Sequence, residues 1–435
     1  MGSLVIVILI LLGCFIYIKK PKSFFFYWLG IQPYLLPVFF ILLRPLFSPV
    51  EEKFLPLYFS YPIALSNLMF ILGVIKVLQK RRSISLRVIG VPLFMLMFYM
   101  LVQNLYVGFN FGALYTNYRE LLVIIAPFLL LYCDERVRPN RTGFVKYICI
   151  FVGIQGIFCV FNVLGFRIYG EFSGIFDDSL ICGTFARYNH MSNYLAAFFY
   201  VLSYEYHEYK GIRRSIYYFL ALLIGIIVLM SGSRMTLILY SFTFLYFLCV
   251  YYGKKVFFLT SIVFVFIVGR YVMGNDRFYG QSSDEGTGFE RNLIGIVNYA
   301  NSDDLSEGST LALSASLLID LFNSPLVGNG QSYRNSNFYG YNTDLINEFE
   351  YKTDARLAFM LVDYGFIGFF LFLFLYIGIY RGLSKYSSET NRYLYYGSFS
   401  FFLLFSLTDN GFWDYILFSI LLIYAFSFRP SIKLL

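Results

Sequence analysis

The sequence is short of charge, and that shortage excludes most soluble classes of protein. Charged residues make up 14% of the 435 residues, against about 25% in an ordinary soluble domain. A soluble globular enzyme or a disordered chain would need more charge to remain in water. Apolar residues make up 58% instead. Such a chain needs lipid as the solvent for most of its side chains, so the composition predicts a polytopic membrane protein.

Cysteine and histidine are also scarce. Six cysteines are present and none belongs to a Cys-x-x-Cys pair. Most of them fall within or beside apolar runs, so we interpret them as small core residues and not as a disulfide framework. The two histidines, His190 and His207, are too few to suggest a zinc site. A zinc site is therefore not expected, and the sequence points to no other cofactor.

The sequence contains many apolar runs that are long enough to form a helix across a bilayer. The predicted fold class is all-α and polytopic, with about 13 transmembrane helices (range about 11–14) and one large periplasmic loop that contains short helices. The predicted spans are 4–18, 24–43, 61–78, 88–107, 119–133, 147–165, 191–206, 215–231, 235–252, 256–273, 356–380, 394–409 and 414–428.

Basic residues follow every second span. Lys19 and Lys20 follow the first, for example, and Arg213 and Arg214 lie between the seventh and the eighth. The positive-inside rule places this basic side in the cytoplasm and the N-terminus outside. Anchoring loops of this kind explain the net charge of +8, so we expect the lipid bilayer and no nucleic acid as a partner. No positive charge precedes the first span, which favours an anchor over a signal peptide.

The outer side carries one large polar loop, over residues 274–355. Its stretch 310–323 has apolar residues at helical spacing and is predicted to lie as an amphipathic helix on the membrane surface. The sequence is thus divided into four regions. They are N-terminal membrane helices (1–182), central membrane helices (183–273), the large loop (274–355) and C-terminal membrane helices (356–435).

Ionisable residues at the outer ends of spans are the first functional candidates, because charge is costly at membrane depth. Arg234 ends a Ser-Gly-Ser-Arg turn between two apolar runs, and Ser231 and Ser233 can cap the helix that follows. An arginine beside a helix N-terminus is suited to bind an anion such as phosphate. The alternative is a tight turn whose arginine simply reaches the membrane surface.

A second candidate precedes the seventh span, where Arg187, Asn189 and His190 bring a cation, an amide and an imidazole together. Arg187 can pair with phosphate. Asn189 or His190 can orient sugar hydroxyls, or His190 can act as a base. The alternative is a hydrogen-bonded helix start with Asn189 as its cap.

A third candidate opens the span after the large loop. Asp354 is a candidate general base and Arg356 a candidate phosphate partner. The alternative is an exposed salt bridge between these two residues at the start of a helix. Arg277 and Arg291 lie within the loop, where they can either reach a substrate phosphate or remain on the surface.

Glycines mark two further places. The run Pro325–Gly330 contains a Gly-x-Gly, which is a weak signal for phosphate binding, and a turn is the commoner explanation. Gly365 and Gly368, in the span 356–380, are expected to let another helix pack closely.

The order of these motifs is more specific than any one of them. Gly183, Phe185 and Asn189 form a G-x-F-x-x-x-N stretch that opens a span, and the Ser-Gly-Ser-Arg turn follows two helices later. The large outer loop then ends in a P-L-x-G-x-G run, and the next span carries Y-G-x-x-G. This set, over residues 183–368, resembles the bacterial O-antigen polymerase and O-antigen ligase superfamily, specifically the Wzy-type polymerases.

Two departures refine the resemblance. Ligases of this superfamily usually open the span after the loop with a His-Asn pair, where this chain has Asp354 followed by alanine, and this favours the polymerase branch. Many members carry an arginine early in the amphipathic helix of the loop, where this chain has Ser-Thr-Leu at 309–311. Arg277, Arg291 or Arg356 would have to supply that charge.

The resemblance implies an enzyme of lipopolysaccharide biosynthesis, a multi-pass glycosyltransferase of the bacterial inner membrane. Such a polymerase transfers a growing glycan from undecaprenyl diphosphate to the non-reducing end of one lipid-linked repeat unit. The transfer takes place at the periplasmic face, with inversion and without metal. The implied partners are the undecaprenyl-diphosphate-linked oligosaccharide, a chain-length regulator and a flippase.

For that chemistry, Arg234 and Arg187 are expected to bind the diphosphate and Asp354 to act as the base, with His190 as the alternative base. The rival functions are an O-antigen ligase and, from a different class, a flippase or other transporter of lipid-linked oligosaccharide. Transporters tend to place charge near the membrane midplane and to have symmetric halves. Neither feature is visible in this sequence.

Overall fold

The structure is a computed structural model of the chain. It describes residues 2–43, 50–80, 83–109, 111–169, 181–185, 188–231, 240–241, 243–249, 253, 324–330, 356–384 and 414–428. Throughout these residues every regular element is helical and none is a strand. The predicted all-α class is confirmed.

The helices are numbered here in chain order. They are α1 Gly2–Lys19, α2 Phe24–Gly30, α3 Leu36–Leu43, α4 Val50–Lys80, α5 Ser83–Val107, α6 Phe111–Cys133, α7 Arg141–Val163, α8 Tyr188–Glu208, α9 Ile212–Met230, α10 Arg356–Ser384 and α11 Asp414–Ser427. A π-helical turn, Ile31–Leu35, joins α2 to α3, and short 3-10 turns cover Pro21–Ser23 and Glu135–Val137.

Four helical stretches in the described part of the chain are long and apolar enough to cross a membrane. They are Pro21–Leu42, Gly90–Val107, Arg141–Val163 and Ile212–Met230, and shorter apolar helices cover Leu4–Lys19, Ile63–Gln79, Leu121–Cys133 and Asp363–Ile379. The predicted spans 256–273 and 394–409 lie outside the described residues, as does most of the loop 274–355. The predicted number of spans and the periplasmic loop therefore stay predictions.

The outward faces of these helices carry large apolar side chains. On α5, Phe94, Phe98 and Leu105 are 69%, 57% and 58% exposed, and Val160 of α7 and Phe219 of α9 are exposed to a similar degree. A protein surrounded by water rarely leaves so much apolar surface uncovered. The apolar helices and their surfaces together indicate a membrane protein.

The chain forms two compact units that are each built from separate stretches of sequence. Unit 1 comprises Met1–Leu65, Arg136–Ser302 and Ile416–Phe428, and unit 2 comprises Ser66–Glu135, Asp303–Tyr415 and Arg429–Leu435. The four consecutive regions predicted from the sequence divide the chain along its length, whereas this division follows contacts. Each unit is described by itself below.

The central element of unit 1 is α8. Its side chains from His190 to Leu202 are all buried, as expected for a helix that is surrounded by others. Aromatic rings from α7 and α8 fill the space between them. Phe151 stacks on Tyr194 with the ring centroids 5.5 Å apart and meets the edge of Phe198 at 4.8 Å. This packing holds the middle of α7 against α8.

One end of unit 1 is held by a buried ion pair. Arg141 Nε, in the first residue of α7, lies 2.8 Å from Glu205 Oε1 near the end of α8, and the Glu205 side chain is fully buried. The Tyr424 hydroxyl of α11 donates to the same carboxylate oxygen. The guanidinium of Arg141 also lies 4.3 Å from the centre of the Phe428 ring. These contacts attach α11 to α7 and α8.

We expect Glu205→Ala to lower the stability of the protein by about 3 kcal/mol, because it leaves the mostly buried guanidinium of Arg141 without its carboxylate. Thermal unfolding of the purified protein in detergent would show this as a lower Tm.

Glu208→Ala is the matched control. Glu208 Oε2 lies 4.0 Å from Arg141 and its side chain is more exposed, and pairs of that kind contribute less than about 1 kcal/mol. Equal losses of Tm in the two variants would contradict the role given to Glu205.

Candidate functional site

The structure describes some of the predicted site residues and not others. It gives the side chains of His190 and Ser231, and it gives the backbone of Asn189 and Arg356, which are the second residue of α8 and the first residue of α10. The remaining predicted site residues lie outside the described residues: Arg187, Ser233, Arg234, Arg277, Arg291 and Asp354. Their roles stay predictions.

The chain that leads into α8 is anchored by an asparagine. Asn162 Oδ1, near the end of α7, accepts hydrogen bonds from Cys182 N at 3.0 Å and from Gly183 N at 2.8 Å. Its Nδ2 donates to Phe166 O at 3.0 Å. One amide side chain thus satisfies three backbone groups, and it holds residues 181–185 against the end of α7.

A glutamine about two helical turns before Asn162 also fixes this segment. Gln155 Oε1 accepts from Thr184 N at 3.0 Å, and Gln155 Nε2 donates to Thr184 Oγ1 at 2.7 Å. Gly183 has a φ of 59°, and a Cβ there would overlap Gln155 Oε1 and Met191 Sδ. Only glycine fits this conformation and this space.

Phe185, the aromatic residue of the G-x-F motif, is buried in the aromatic core of unit 1. Its ring centroid lies 5.2 Å from that of Tyr194 and 6.0 Å from that of Phe151. Gly183 and Phe185 therefore have structural roles. They fix the path of the chain immediately before Arg187 and the start of α8.

His190 lies in the first turn of α8 and its imidazole is buried. Its Nδ1 is 3.0 Å from Gln32 Nε2. The hydrogen bond between Gln32 and Nδ1 holds the buried imidazole in one orientation in the first turn of α8.

Gln32 reaches His190 from the π-helical turn that joins α2 to α3. Pro33 lies in this turn and has no N–H to offer the carbonyl of Leu29, four residues earlier. The Tyr194 hydroxyl of α8 donates a long hydrogen bond, of 3.4 Å, to this carbonyl. The π turn, which often marks functional places in helices, is thus attached to α8 by two side chains.

A pair of serines joins the start of α8 to the end of α9. Ser192 Oγ donates to Ser231 Oγ at 2.9 Å, and Ser231 Oγ donates to Val228 O at 2.8 Å. Both serines are fully buried. The contact places the N-terminal part of α8 beside Ser231 at the end of α9.

Together these side chains form a group that we call the polar cluster. It lies at the end of unit 1 opposite to the Arg141–Glu205 pair, because α7 ends and α8 begins there. Under the predicted orientation, this end is periplasmic. The members of the polar cluster are Gln32, Gln155, Asn162, Thr184, His190, Ser192 and Ser231, and all are buried.

The amides and hydroxyls of the polar cluster hydrogen-bond to one another and to the backbone, so the cluster fixes the start of α8 from within the protein. Sequence analysis identified His190 and Ser231 and missed Gln32, Gln155 and Asn162. The signal that was present is a polar side chain within an otherwise apolar helix. Among the described residues no three His, Cys, Asp or Glu side chains are grouped to hold a metal ion, and the predicted absence of a metal stays a prediction.

The fold and the polar cluster define the class of this protein only broadly, as an all-helical membrane protein with buried polar side chains at one end of a helical unit. No family model matches the chain, and no curated protein matches it either.

Unit 2 contains a second feature that the motifs had marked. The sequence predicts one continuous span over 356–380, but α10 is broken at Gly365, where φ is 62° and ψ is −171°. The segment Ser324–Gly330 fills the break. Phe366 N donates to Pro325 O at 2.9 Å, Ile367 N donates to Leu326 O at 3.1 Å, and Gly330 N donates to Asp363 O at 2.9 Å.

Two glycines make this close approach possible. A Cβ on Gly328 would overlap the backbone of Asp363 and Gly365, and a Cβ on Gly365 would overlap the backbone of Leu326 and Gly328. Gly365 thus allows the backbone of Ser324–Gly330 to approach closely and allows the helix to break. The sequence had predicted that Gly365 lets another helix pack closely. Gly328 N donates to Ser324 O at 2.8 Å, so the N–H groups of Gly328 and Gly330 are both used within the protein and do not form a phosphate-binding loop.

Side chains of α5 satisfy the carbonyls that the break exposes. Gln103 Nε2 donates to Val327 O at 2.7 Å and also to Asp363 O. The Tyr99 hydroxyl lies 2.8 Å from Val327 O and 2.7 Å from Tyr364 O. Residues four apart lie on one face of a helix, so Tyr99 and Gln103 hold the segment and the broken helix together.

We expect Gly183→Ala to destabilise the protein by about 1–3 kcal/mol, because alanine would have to adopt a strained positive φ and displace Gln155. The measurement is again Tm in detergent.

Gly153→Ala is the control, since Gly153 lies within α7 and a Cβ there meets no atom within 4 Å. Alanine favours a helix interior over glycine by up to about 1 kcal/mol, so this variant should be neutral or slightly more stable. Unchanged stability in Gly183→Ala would show that the segment before α8 is not held as described.

Proposed function

We propose that this protein is a Wzy-type O-antigen polymerase. It transfers a growing glycan from undecaprenyl diphosphate to the non-reducing end of a lipid-linked repeat unit at the periplasmic face of the inner membrane. The proposal is supported by the ordered motifs of residues 183–368 and by a fold that is helical and suited to a membrane.

The observation that carries the proposal is the hydrogen bond between Ser192 and Ser231. Arg187 precedes His190 by three residues, and Arg234 follows Ser231 by three residues. The serine contact therefore brings together the two stretches of chain that lead to these arginines. Arg187 and Arg234, from distant parts of the sequence, would then bind the same diphosphate.

The diphosphate gains negative charge as its bond to the sugar breaks, and preorganised cations stabilise that charge most in the transition state. Arginine suits this task, because it is always charged and binds phosphate oxygens in pairs. Arg234 and Arg187 are the proposed ligands of the diphosphate. Arg356, Arg277 or Arg291 would supply a further cation from the side of the large loop.

The acceptor hydroxyl oxygen attacks the anomeric carbon of the growing chain, and the bond from that carbon to the diphosphate oxygen breaks. The bond's electron pair leaves with undecaprenyl diphosphate, and the hydroxyl proton passes to a base. Asp354 is the proposed base. Burial of the His190 imidazole, which is 3% exposed, and its hydrogen bond with Gln32 disfavour it as the base.

His190 and its neighbours in the polar cluster have a different task in this proposal. Through their hydrogen bonds they would hold the start of α8 in place, so that Asn189 and the preceding Arg187 would meet the sugar hydroxyls and the diphosphate in one geometry. Orientation of two reactants contributes a large part of many enzymatic rate enhancements. The site in this view positions two lipid-linked substrates and neutralises the leaving group.

The test is a lipopolysaccharide gel from the source strain with the gene deleted and then complemented. The wild-type gene should restore a ladder of long chains, whereas deletion should leave core with a single repeat unit. We expect Arg234→Ala to give the deletion pattern at a normal protein level in the membrane, because the diphosphate loses its cation. Arg213→Ala, at the basic end of α9, should restore the full ladder.

The gel also separates the rival functions. Loss of all O-antigen bands on deletion would support the ligase or the flippase instead, and the fate of lipid-linked polymer would distinguish those two. Chains of wild-type length from Arg234→Ala would overturn its role at the diphosphate.

A second prediction concerns the base. We expect Asp354→Asn to lower the rate of polymerisation by about a hundredfold or more, which is the usual contribution of a general base. His190→Gln should retain measurable activity, because a glutamine amide can both accept and donate a hydrogen bond. The assay uses purified protein and lipid-linked repeat units, with product length read on a gel. The reverse pattern, an active Asp354→Asn and a dead His190→Gln, would transfer the base to His190.

A further inference from the structure

A break in a membrane helix exposes backbone groups that lipid cannot satisfy. In α10 the partners come from Ser324–Gly330 and from Tyr99 and Gln103 of α5, as described above. Gln103 is well matched to this place, since one amide nitrogen carries two protons and two carbonyls accept from it. The break in α10 therefore depends on Ser324–Gly330 for hydrogen-bond partners.

The segment contacts α5 well inside an apolar stretch. The Tyr99 hydroxyl contacts Val327 O, and Gly330 lies beside Val107. Tyr99 and Val107 both belong to the apolar stretch Gly90–Val107 of α5. Eight residues of α-helix rise about 12 Å. If Val107 marks the outer membrane surface, the contact with Tyr99 lies about 12 Å below it, which is a large part of one leaflet.

The outward surface of the segment also suits lipid. Leu326 is 63% exposed, and so is Phe370 of α10, while Pro325 and Val327 beside Leu326 are apolar too. Ile367 N donates to Leu326 O. Phe370 follows Ile367 by three residues and therefore lies on the same face of α10. Leu326 thus continues the apolar surface of the second half of α10.

We propose that Ser324–Gly330 is a re-entrant segment, which leaves the large outer loop, enters the outer leaflet and is held there by Tyr99 and Gln103. The same two side chains fix the direction of the outer half of α10, Arg356–Tyr364. They are therefore positioning residues for Arg356 and for the chain at Asp354, and this second part rests on the proposed function.

The placement is tested by thiol labelling of Leu326→Cys in membranes of the full-length protein. A membrane-impermeant maleimide is added to spheroplasts, and the labelled fraction of the peptide that contains residue 326 is measured by mass spectrometry. The native cysteines can then remain. Phe370→Cys, within the apolar stretch Asp363–Ile379, is the control inside the membrane, and Phe109→Cys, beyond the end of the apolar stretch Gly90–Val107, is the control outside it.

Maleimides react with thiolates, which do not form in lipid. We expect Leu326→Cys and Phe370→Cys to react about tenfold or more slowly than Phe109→Cys, and all three to react equally after denaturation in detergent. Labelling of Leu326→Cys at the rate of Phe109→Cys would overturn the re-entrant placement. This result does not depend on the activity of the protein.

The positioning role is tested by Gln103→Met, which keeps the length of the side chain and removes both donors. We expect kcat for polymerisation to fall about tenfold to a hundredfold, with KM for the lipid-linked substrate unchanged and the protein still folded. Tyr118→Phe is the matched control, because it removes a hydrogen bond from a tyrosine to Met97 O within the same unit but away from the break.

Equal kcat values for Gln103→Met and the wild type would refute the positioning role. A wild-type protein that does not polymerise at all would refute the proposed function and the positioning role together, while the labelling experiment would still decide the re-entrant placement.

Discussion

The structure depends on one constraint, which is that every backbone polar group away from water needs a partner within the protein. Unbroken helices meet the constraint by themselves, and most of the described chain is built from them. Where the chain departs from a helix, a side chain from elsewhere in the same unit supplies the missing partner. Asn162 and Gln155 do so for residues 181–185, and Tyr99 and Gln103 do so for the break at Gly365.

The same constraint explains why amides are so prominent. A primary amide carries two protons and two lone pairs without a charge, so it can serve several backbone groups at a smaller cost of burial than a charged group. In unit 1 this gives a rigid irregular segment immediately before α8, and His190 is held in place from Gln32. A rigid approach to the helix start is what an enzyme needs if neighbouring cations are to meet a substrate in one geometry.

The sequence predicted the helical class and the positions of the described helices well, because long apolar runs leave the backbone few alternatives. It also placed His190 and Ser231 near one end of the membrane helices. It could not predict what the amides of Gln155 and Gln32 bind, since a lone polar residue in an apolar run does not indicate its partner, and these contacts join residues 29 and 158 positions apart. The break at Gly365 was hidden for a similar reason. A glycine in a helix allows either packing or interruption, and a distant loop decides between them.

The buried carboxylate of Glu205 has a consequence for the order in which the protein is made. Its cation, Arg141, is synthesised before it, but its tyrosine partner in α11 is synthesised roughly 200 residues later, which takes on the order of 10–40 s at ordinary translation rates. During that interval α7 and α8 are joined by the arginine and by the aromatic packing around Phe151, but the carboxylate still lacks its tyrosine donor. A chain interrupted before α11 keeps a buried carboxylate with an incomplete set of partners, so this end of unit 1 is completed only when the last described helix is made.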